Sequence, residues 1–222
     1  YYVHDRATKK SNLLFGFKIQ EPKFSPDGSK VAFVYNRNVF IKDLETDTID
    51  QITKDGSEHI INGLTDWVYE EEFGFVRAFD WNLTGTALVF MQFDETLVPT
   101  FSMDVIGEDL YPFPYTFKYP KAGENNSIVS LHLYDLSSKN LSEIKLGDEK
   151  PYYIPRIKFS PNKSKLIVQT INRHQNHLKL WSYNIKKQTA NILLEEKEDT
   201  YVDVHDNLKF LKDESFPVSY TH

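Results

Sequence analysis

Phe24-Ser25-Pro26-Asp27-Gly28-Ser29-Lys30-Val31 returns in the same chain as Phe159-Ser160-Pro161-Asn162-Lys163-Ser164-Lys165-Leu166. A weaker copy is Trp81-Asn82-Leu83-Thr84-Gly85-Thr86-Ala87-Leu88. Each copy sets an aromatic residue at a strand end, then a turn, then a strand. Pro26 pre-sets the turn dihedral, and Asp27-Gly28 supplies residues that tolerate positive φ. The segments after the turns, Val31 to Tyr35, Leu88 to Phe93 and Leu166 to Ile171, are rich in β-branched and aromatic residues. An echo of this kind points to a repeat architecture.

Two more strands are predicted after each echo. They are Val39 to Asp43 and Ile49 to Thr53, then Ile128 to Asp135 and Leu141 to Leu146, then Leu178 to Tyr183 and Thr189 to Leu194. Val129, Leu131 and Leu133 fall on one face, opposite Ser130, His132 and Tyr134, the alternation of a strand. Four antiparallel strands per unit, repeated radially, make a propeller blade. The fold class expected is all-β, a partial β-propeller over residues 1–216. Tyr1 to Leu14 reads as the outer two strands of a preceding blade, and Tyr201 to Phe216 as the start of a following one. That makes about three complete blades and two partial ones.

The copies are unevenly spaced: 57 residues separate Phe24 from Trp81, and 78 separate Trp81 from Phe159. Both exceed the roughly 40–50 residues of a plain blade, so two insertions are predicted. One lies between Ile60 and Arg77 and carries Asp66-Trp67-Val68-Tyr69-Glu70-Glu71-Glu72-Phe73. The other lies between Asp94 and Ser127 and sets Pro99, Pro112, Pro114 and Pro120 among Tyr111, Phe113, Tyr115, Phe117 and Tyr119. Long insertions on a repeat scaffold are where function concentrates.

Composition narrows the function. In 222 residues, 26 Lys plus Arg against 32 Asp plus Glu give a net charge of −6, with no basic block to hold nucleic acid or an anionic membrane. The 40% hydrophobic and 26% charged content is that of a globular chain. Cysteine is absent, which removes disulfides, thiolate zinc sites and cysteine nucleophiles. Glycine spacing excludes the Gly-x-Ser-x-Gly elbow, the Walker A loop and the dinucleotide fingerprint, so no cofactor is expected. His174-Gln175-Asn176-His177 reads as a polar hairpin tip rather than a metal site, and Asp203, His205 and Asp206 as a polar strand entry. Asn82, Asn125, Asn140 and Asn162 fit Asn-x-Ser/Thr, a pattern expected by chance in a chain this rich in these residues.

Glu70-Glu71-Glu72 is set apart by its flanks, Trp67, Val68 and Tyr69 before and Phe73 and Phe75 after. Such a triplet fits a short helical turn projecting from the propeller. Successive helical side chains diverge by about 100°, so two neighbours can straddle one ligand. Adjacent carboxylates repel, and one is hard to ionise unless a cation joins them. The matching ligand is a compact cation with several donors, such as a primary ammonium.

These residues resemble the dipeptidyl peptidase IV family of serine exopeptidases. The likeness is close at Asn62-Gly63-Leu64-Thr65-Asp66-Trp67-Val68-Tyr69-Glu70-Glu71-Glu72-Phe73, and continues at Val98-Pro99, at Tyr119-Pro120-Lys121-Ala122-Gly123 and through the Phe-Ser-Pro echoes. The resemblance implies an eight-bladed propeller that gates access to an α/β-hydrolase domain of the same chain, and release of N-terminal dipeptides with proline or alanine second. It implies that Glu71 and Glu72 grip the free amino group of a peptide substrate, with Glu70 supporting the turn. The insertion from Val98 to Gly123 matches the arm through which family members form homodimers. The Ser-Asp-His triad and the oxyanion tyrosine belong to the hydrolase domain. An arginine that assists substrate carbonyl binding is expected a few residues before Tyr1. The resemblance also implies a periplasmic or cell-surface location, as in bacterial relatives.

Two other readings stand beside the peptidase: a non-catalytic homologue that serves as a partner of membrane proteins, and a propeller used only to bind protein. The glutamate pair favours the enzyme, because a scaffold has no need to hold an amino terminus. Both ends read as cut: the chain opens Tyr1-Tyr2-Val3, as if entered mid-domain. Residues 217–222, Pro-Val-Ser-Tyr-Thr-His, resemble a translated adapter tail and are set aside as non-native, the alternative being an ordinary loop.

Overall fold

The repeated turn closes through its own side chains. Ser25 Oγ donates to Asp27 Oδ1 at 2.6 Å and accepts from the Lys30 N–H at 3.0 Å, while the Ser25 N–H donates to the Lys30 carbonyl at 2.8 Å. Gly28 takes φ +74°, a conformation that costs glycine nothing. The Ser25 hydroxyl and the Ser29 N–H and hydroxyl hold the Asp27 carboxyl down at about 2. In the second copy Asn82 replaces the serine: its Oδ1 accepts from the Thr86 and Ala87 N–H groups at 2.9 and 3.0 Å, and Gly85 takes φ +66°. In the third copy the Ser160 N–H donates to the Lys165 carbonyl at 3.1 Å.

The computed structural model describes residues 1–147, 152–161, 165–204, 206, 208–211 and 215. The turn residues Asn162, Lys163 and Ser164, together with His205, Asp213, Glu214, Phe216 and the 217–222 segment, lie outside the described residues.

Strands β1 (Tyr2–Asp5) and β2 (Lys10–Leu13) form a hairpin. Next, β3 (Gln20–Phe24), β4 (Lys30–Tyr35), β5 (Asn38–Asp43) and β6 (Ile49–Gln51) make an antiparallel sheet in chain order. The middle sheet is built from β7 (Ile60–Asn62), β8 (Phe79–Trp81), β9 (Ala87–Asp94), β12 (Ile128–Asp135) and β13 (Asn140–Glu143). A short helix α1 (Trp67–Glu71) lies between β7 and β8, and a separate hairpin of β10 (Thr100–Val105) and β11 (Phe113–Lys118) between β9 and β12. The last sheet runs β14 (Tyr153–Phe159), β15 (Lys165–Ile171), β16 (His177–Asn184), β17 (Thr189–Lys197), again in chain order. The architecture is the all-β one expected, in antiparallel sheets of about four strands. Where the sequence suggested a further strand, described residues 201–211 form none; Val202 is instead buried, its N–H donating to the Gln175 carbonyl at 2.8 Å.

The core explains the stacking of sheets. On β4, Ala32 and Val34 join the main cluster shared with the middle and last sheets, while Val31 and Phe33 face the other way, toward Leu14 and Val3 of the first hairpin. A strand has two faces with a period of two, so a continuous apolar run can be buried on both sides only between two neighbouring sheets. The sheets are also bonded to each other: the Trp81 indole N–H donates to the Lys23 carbonyl at 3.1 Å, and Lys23 Nζ pairs with Asp80 at 2.5 Å.

In each sheet the strand before the repeated turn is interrupted. β3 bulges between Gln20 and Lys23, where Glu21 takes φ +49° ahead of Pro22, and β14 bulges between Tyr153 and Arg156, around Pro155. Proline lacks an N–H, so a bulge is where a ladder tolerates it. In the middle sheet the interruption has grown into an excursion. The β9 edge is covered by β7 opposite Gln92 to Asp94 and by β8 opposite Leu88 to Phe90. Between them the chain leaves at Gly63 and returns at Ala78, whose N–H donates to the Gly63 carbonyl at 3.0 Å. Gly63 sits at φ +76°, and a Cβ there would lie 2.8 Å from Val39 Cγ2.

Candidate functional site

The excursion carries the acidic triplet. Helix α1 has five residues, too few to be stable alone, so neighbouring groups must hold it. Asp66 is its N-cap: Oδ1 accepts from the Tyr69 N–H at 3.0 Å and Oδ2 from Ser127 Oγ at 2.5 Å. Burial pushes the Asp66 carboxyl up, against the pull of those two donors. Trp67 packs edge-on against Tyr119, centroids 4.4 Å apart. Tyr69 is buried among the rings of Phe73, Phe75, Phe93 and Tyr153, and its hydroxyl accepts from the Ile154 N–H at 2.8 Å. The β14 bulge has taken that N–H out of the ladder, and a side chain from the adjoining sheet satisfies it.

Glu70, Glu71 and Glu72 are all exposed. Glu71 ends the helix and Glu72 is its C-cap, with an N–H donating to the Val68 carbonyl at 2.8 Å. Among the described residues neither side chain forms a hydrogen bond or an ion pair. The charge of Glu72 reaches Tyr201, whose hydroxyl is pushed up by burial first, then by Asp203, then by Glu72. Past the triplet, Phe73 is buried and Gly74, at φ +72°, turns the chain back.

Two clefts flank the excursion. The larger, about 520 Å³, opens between α1 and the β10–β11 hairpin and is lined by Trp67, Glu70, Arg37, Glu95, Tyr115 and Lys118 among others. At its floor the nearly buried Glu95 pairs with Arg37 at 3.0 Å, and burial raises its carboxyl against that guanidinium. The second cleft, about 320 Å³, lies beside Phe75, Arg77, Asp80 and Arg156. The triplet is thus divided: Glu70 lines the hairpin cleft, whereas Glu71 and Glu72 line neither of these two.

Several supporting groups were not found from sequence. Asp66 carried a usable signal, an Asp directly before an aromatic segment, as an N-cap stands before its helix. Ser127, Ile154 and Arg156 carried none, because they reach α1 from distant parts of the chain. His174 to Asn176 lie in the β15–β16 connection, and His177, which opens β16, meets Glu195 through Nε2 at 2.5 Å.

The sequence model of the family described as "Dipeptidyl peptidase IV (DPP IV) N-terminal region" matches residues 1–220. A Phaeosphaeria nodorum protein named "Probable dipeptidyl-aminopeptidase B" is 30% identical over 215 residues, covering 88% of this chain and 24% of that protein. Its namesake in Chaetomium globosum is 36% identical over 152 residues, 61% of this chain and 16% of the relative. The crystal structure of Porphyromonas gingivalis dipeptidyl peptidase 4 matches with a TM-score of 0.91 and 40% identity, over 97% of this chain and 31% of that one. The chain therefore spans less than a third of each of these proteins.

Proposed function

The chain belongs to the dipeptidyl peptidase IV family, in its N-terminal region, and from that premise we propose that it is the propeller portion of a serine exopeptidase that releases N-terminal dipeptides, with proline or alanine second. Glu71 and Glu72 receive the substrate's terminal ammonium. Glu70, on the hairpin side, supports the turn. The nucleophile and its triad lie in the α/β-hydrolase portion of the whole protein, so the present segment alone is inactive. The β10–β11 arm takes part in a homodimer interface, and the enzyme works in the periplasm or at the cell surface.

The observation that supports this reading is the pair of adjacent exposed carboxylates, which have no side-chain partner among the described residues, on a turn whose N-cap, Tyr69 hydroxyl and Glu72 N–H are all bonded. An ammonium offers three donors, and two carboxylates accept them by charge-assisted bonds worth about 1.5–3 kcal/mol each. Fixing the amine at a set distance from the nucleophile makes cleavage fall after the second residue. Glu71→Gln or Glu72→Gln in the full-length enzyme should lower kcat/KM for a Gly-Pro chromogenic substrate roughly ten- to a hundredfold. N-acetylation of the substrate should do the same to the wild type. Both side chains are exposed and have no partner among the described residues, so stability should stay within about 0.5 kcal/mol. Wild-type efficiency in both variants, or equal cleavage of the acetylated substrate, refutes the assignment.

A further inference from the structure

The groups that fasten the far side of the triplet come from the next sheet, and Arg156 is their centre. Its Nη1 donates to the Phe73 carbonyl at 2.9 Å and to the Pro155 carbonyl at 2.7 Å. Its Nε and Nη2 pair with Asp206, and the guanidinium lies 5.6 Å from the centroid of the Phe75 ring. Phe73 directly follows Glu72. The Glu72 main chain is thus held from both sides, by its own N–H on the Val68 carbonyl at 2.8 Å and by the next carbonyl on Arg156. Because α1 is a single turn, it cannot keep this geometry unaided. Arg156 follows the β14 bulge, the same irregularity that releases the Ile154 N–H to Tyr69. One bulge therefore presents two fastenings to the excursion, one inside the helix and one just past it.

We infer that Arg156 is a positioning residue for the Glu71–Glu72 pair, an inference that rests on the amine-anchoring reading above. It acts through the main chain of the turn. It fixes the backbone at Phe73, and with it the distance from the carboxylates to the reacting carbonyl. A guanidinium suits this task because its planar fork serves two carbonyls, a carboxylate and a ring face at once, which an ammonium cannot.

The test uses the full-length enzyme, with kcat and KM measured separately on free and N-acetylated Gly-Pro substrates. Arg156→Ala should raise KM for the free amine roughly tenfold and shrink the preference over the acetylated substrate by the same factor. Arg156→Lys, which can still reach one carbonyl, should recover part of both. A merely structural role would instead lower kcat on both substrates alike, through loss of folded enzyme, and leave KM and the preference unchanged; that result overturns the inference. If Arg156→Ala does not fold, Arg156→Lys and Asp206→Asn still decide: each should raise KM for the free amine, and unchanged values in both refute the role. Glu71→Gln, run in parallel, separates the two claims. If it lowers the preference and the Arg156 variants do not, only the positioning role falls. If it changes nothing, the amine-anchoring reading falls and this inference with it.

Discussion

Replacing Tyr69 by phenylalanine removes one oxygen from the structure and leaves everything else for comparison. The ring keeps its neighbours: Phe73 at 4.9 Å, Phe75 at 5.9 Å, Phe93 at 4.7 Å and Tyr153 at 6.3 Å between centroids. What goes is the acceptor of the Ile154 N–H, at 2.8 Å in a place where Tyr69 is 2% and Ile154 1% exposed. Burial holds the phenol well above its ordinary ionisation range, so the group lost is a neutral hydroxyl. A buried donor left without an acceptor costs about 1–3 kcal/mol. The ladder cannot supply another, since the β14 bulge turns this N–H away from β15. At about 1.4 kcal/mol per decade, opening at this amide should become roughly five- to a hundredfold easier. Hydrogen–deuterium exchange on the full-length protein, read on the peptide containing Ile154, measures that change directly. Exchange should rise there and in α1, with little change in β4 or β9. If the Ile154 amide stays as protected in Tyr69→Phe as in the wild type, the hydroxyl is not its acceptor and the account of how α1 is held is wrong.

Three other outcomes are expected. Gly63→Ala meets both a positive φ and a Cβ contact of 2.8 Å with Val39 Cγ2; it should destabilise by more than about 2 kcal/mol, seen as a lower melting temperature, and an unchanged melt would contradict the backbone path at Gly63. The Asp66 carboxyl is raised above 3.8 by burial, so the folded chain binds its proton more tightly than the unfolded chain, and that share of stability is lost as pH rises through the raised value. Asp66→Asn keeps the cap acceptor without the charge, so its melting temperature should gain on the wild type as pH rises above the ordinary carboxyl value of 3.8; a gap independent of pH would refute the buried charge. Deleting residues 103–117 removes most of a hairpin on which Ile106, Leu110 and Tyr111 are 88%, 97% and 83% exposed; light scattering on the full-length protein should then find monomers, and a dimer would give the arm another role.

Much of the scaffold is legible because its causes are local. Short polar side chains close the turn from within, Ser25 and Asp27 in the first copy and Asn82 in the second, and the strands after each turn fall close to where alternation and β-branched residues set them. The β10–β11 hairpin was hidden for the opposite reason. Its residues are mostly exposed on both faces, so no apolar period marks it, and Pro114 lies within its second strand. Strand β8 ends at Trp81, where the echo set a strand end, whereas β7 was hidden by shortness: three residues long, it exists because β9 offers a long edge to pair with.

The same division runs through the site. Sequence alone suggested the kind of chemistry proposed above, because an acidic triplet between aromatic residues in a chain without cysteine or phosphate-binding loops suits a compact cation. It also determined that the triplet sits on an insertion, since the spacing of the turns cannot be met otherwise. Only the tertiary structure decided where each glutamate stands. Glu70 faces the hairpin cleft while Glu71 and Glu72 close the helix, and that difference is set by Asp66 on Ser127, Tyr69 on Ile154 and Phe73 on Arg156. Those partners are 61, 85 and 83 residues apart. A helix of one turn has no stability of its own with which to fix the direction of its side chains, so their placement follows from contacts that exist only once the sheets have stacked.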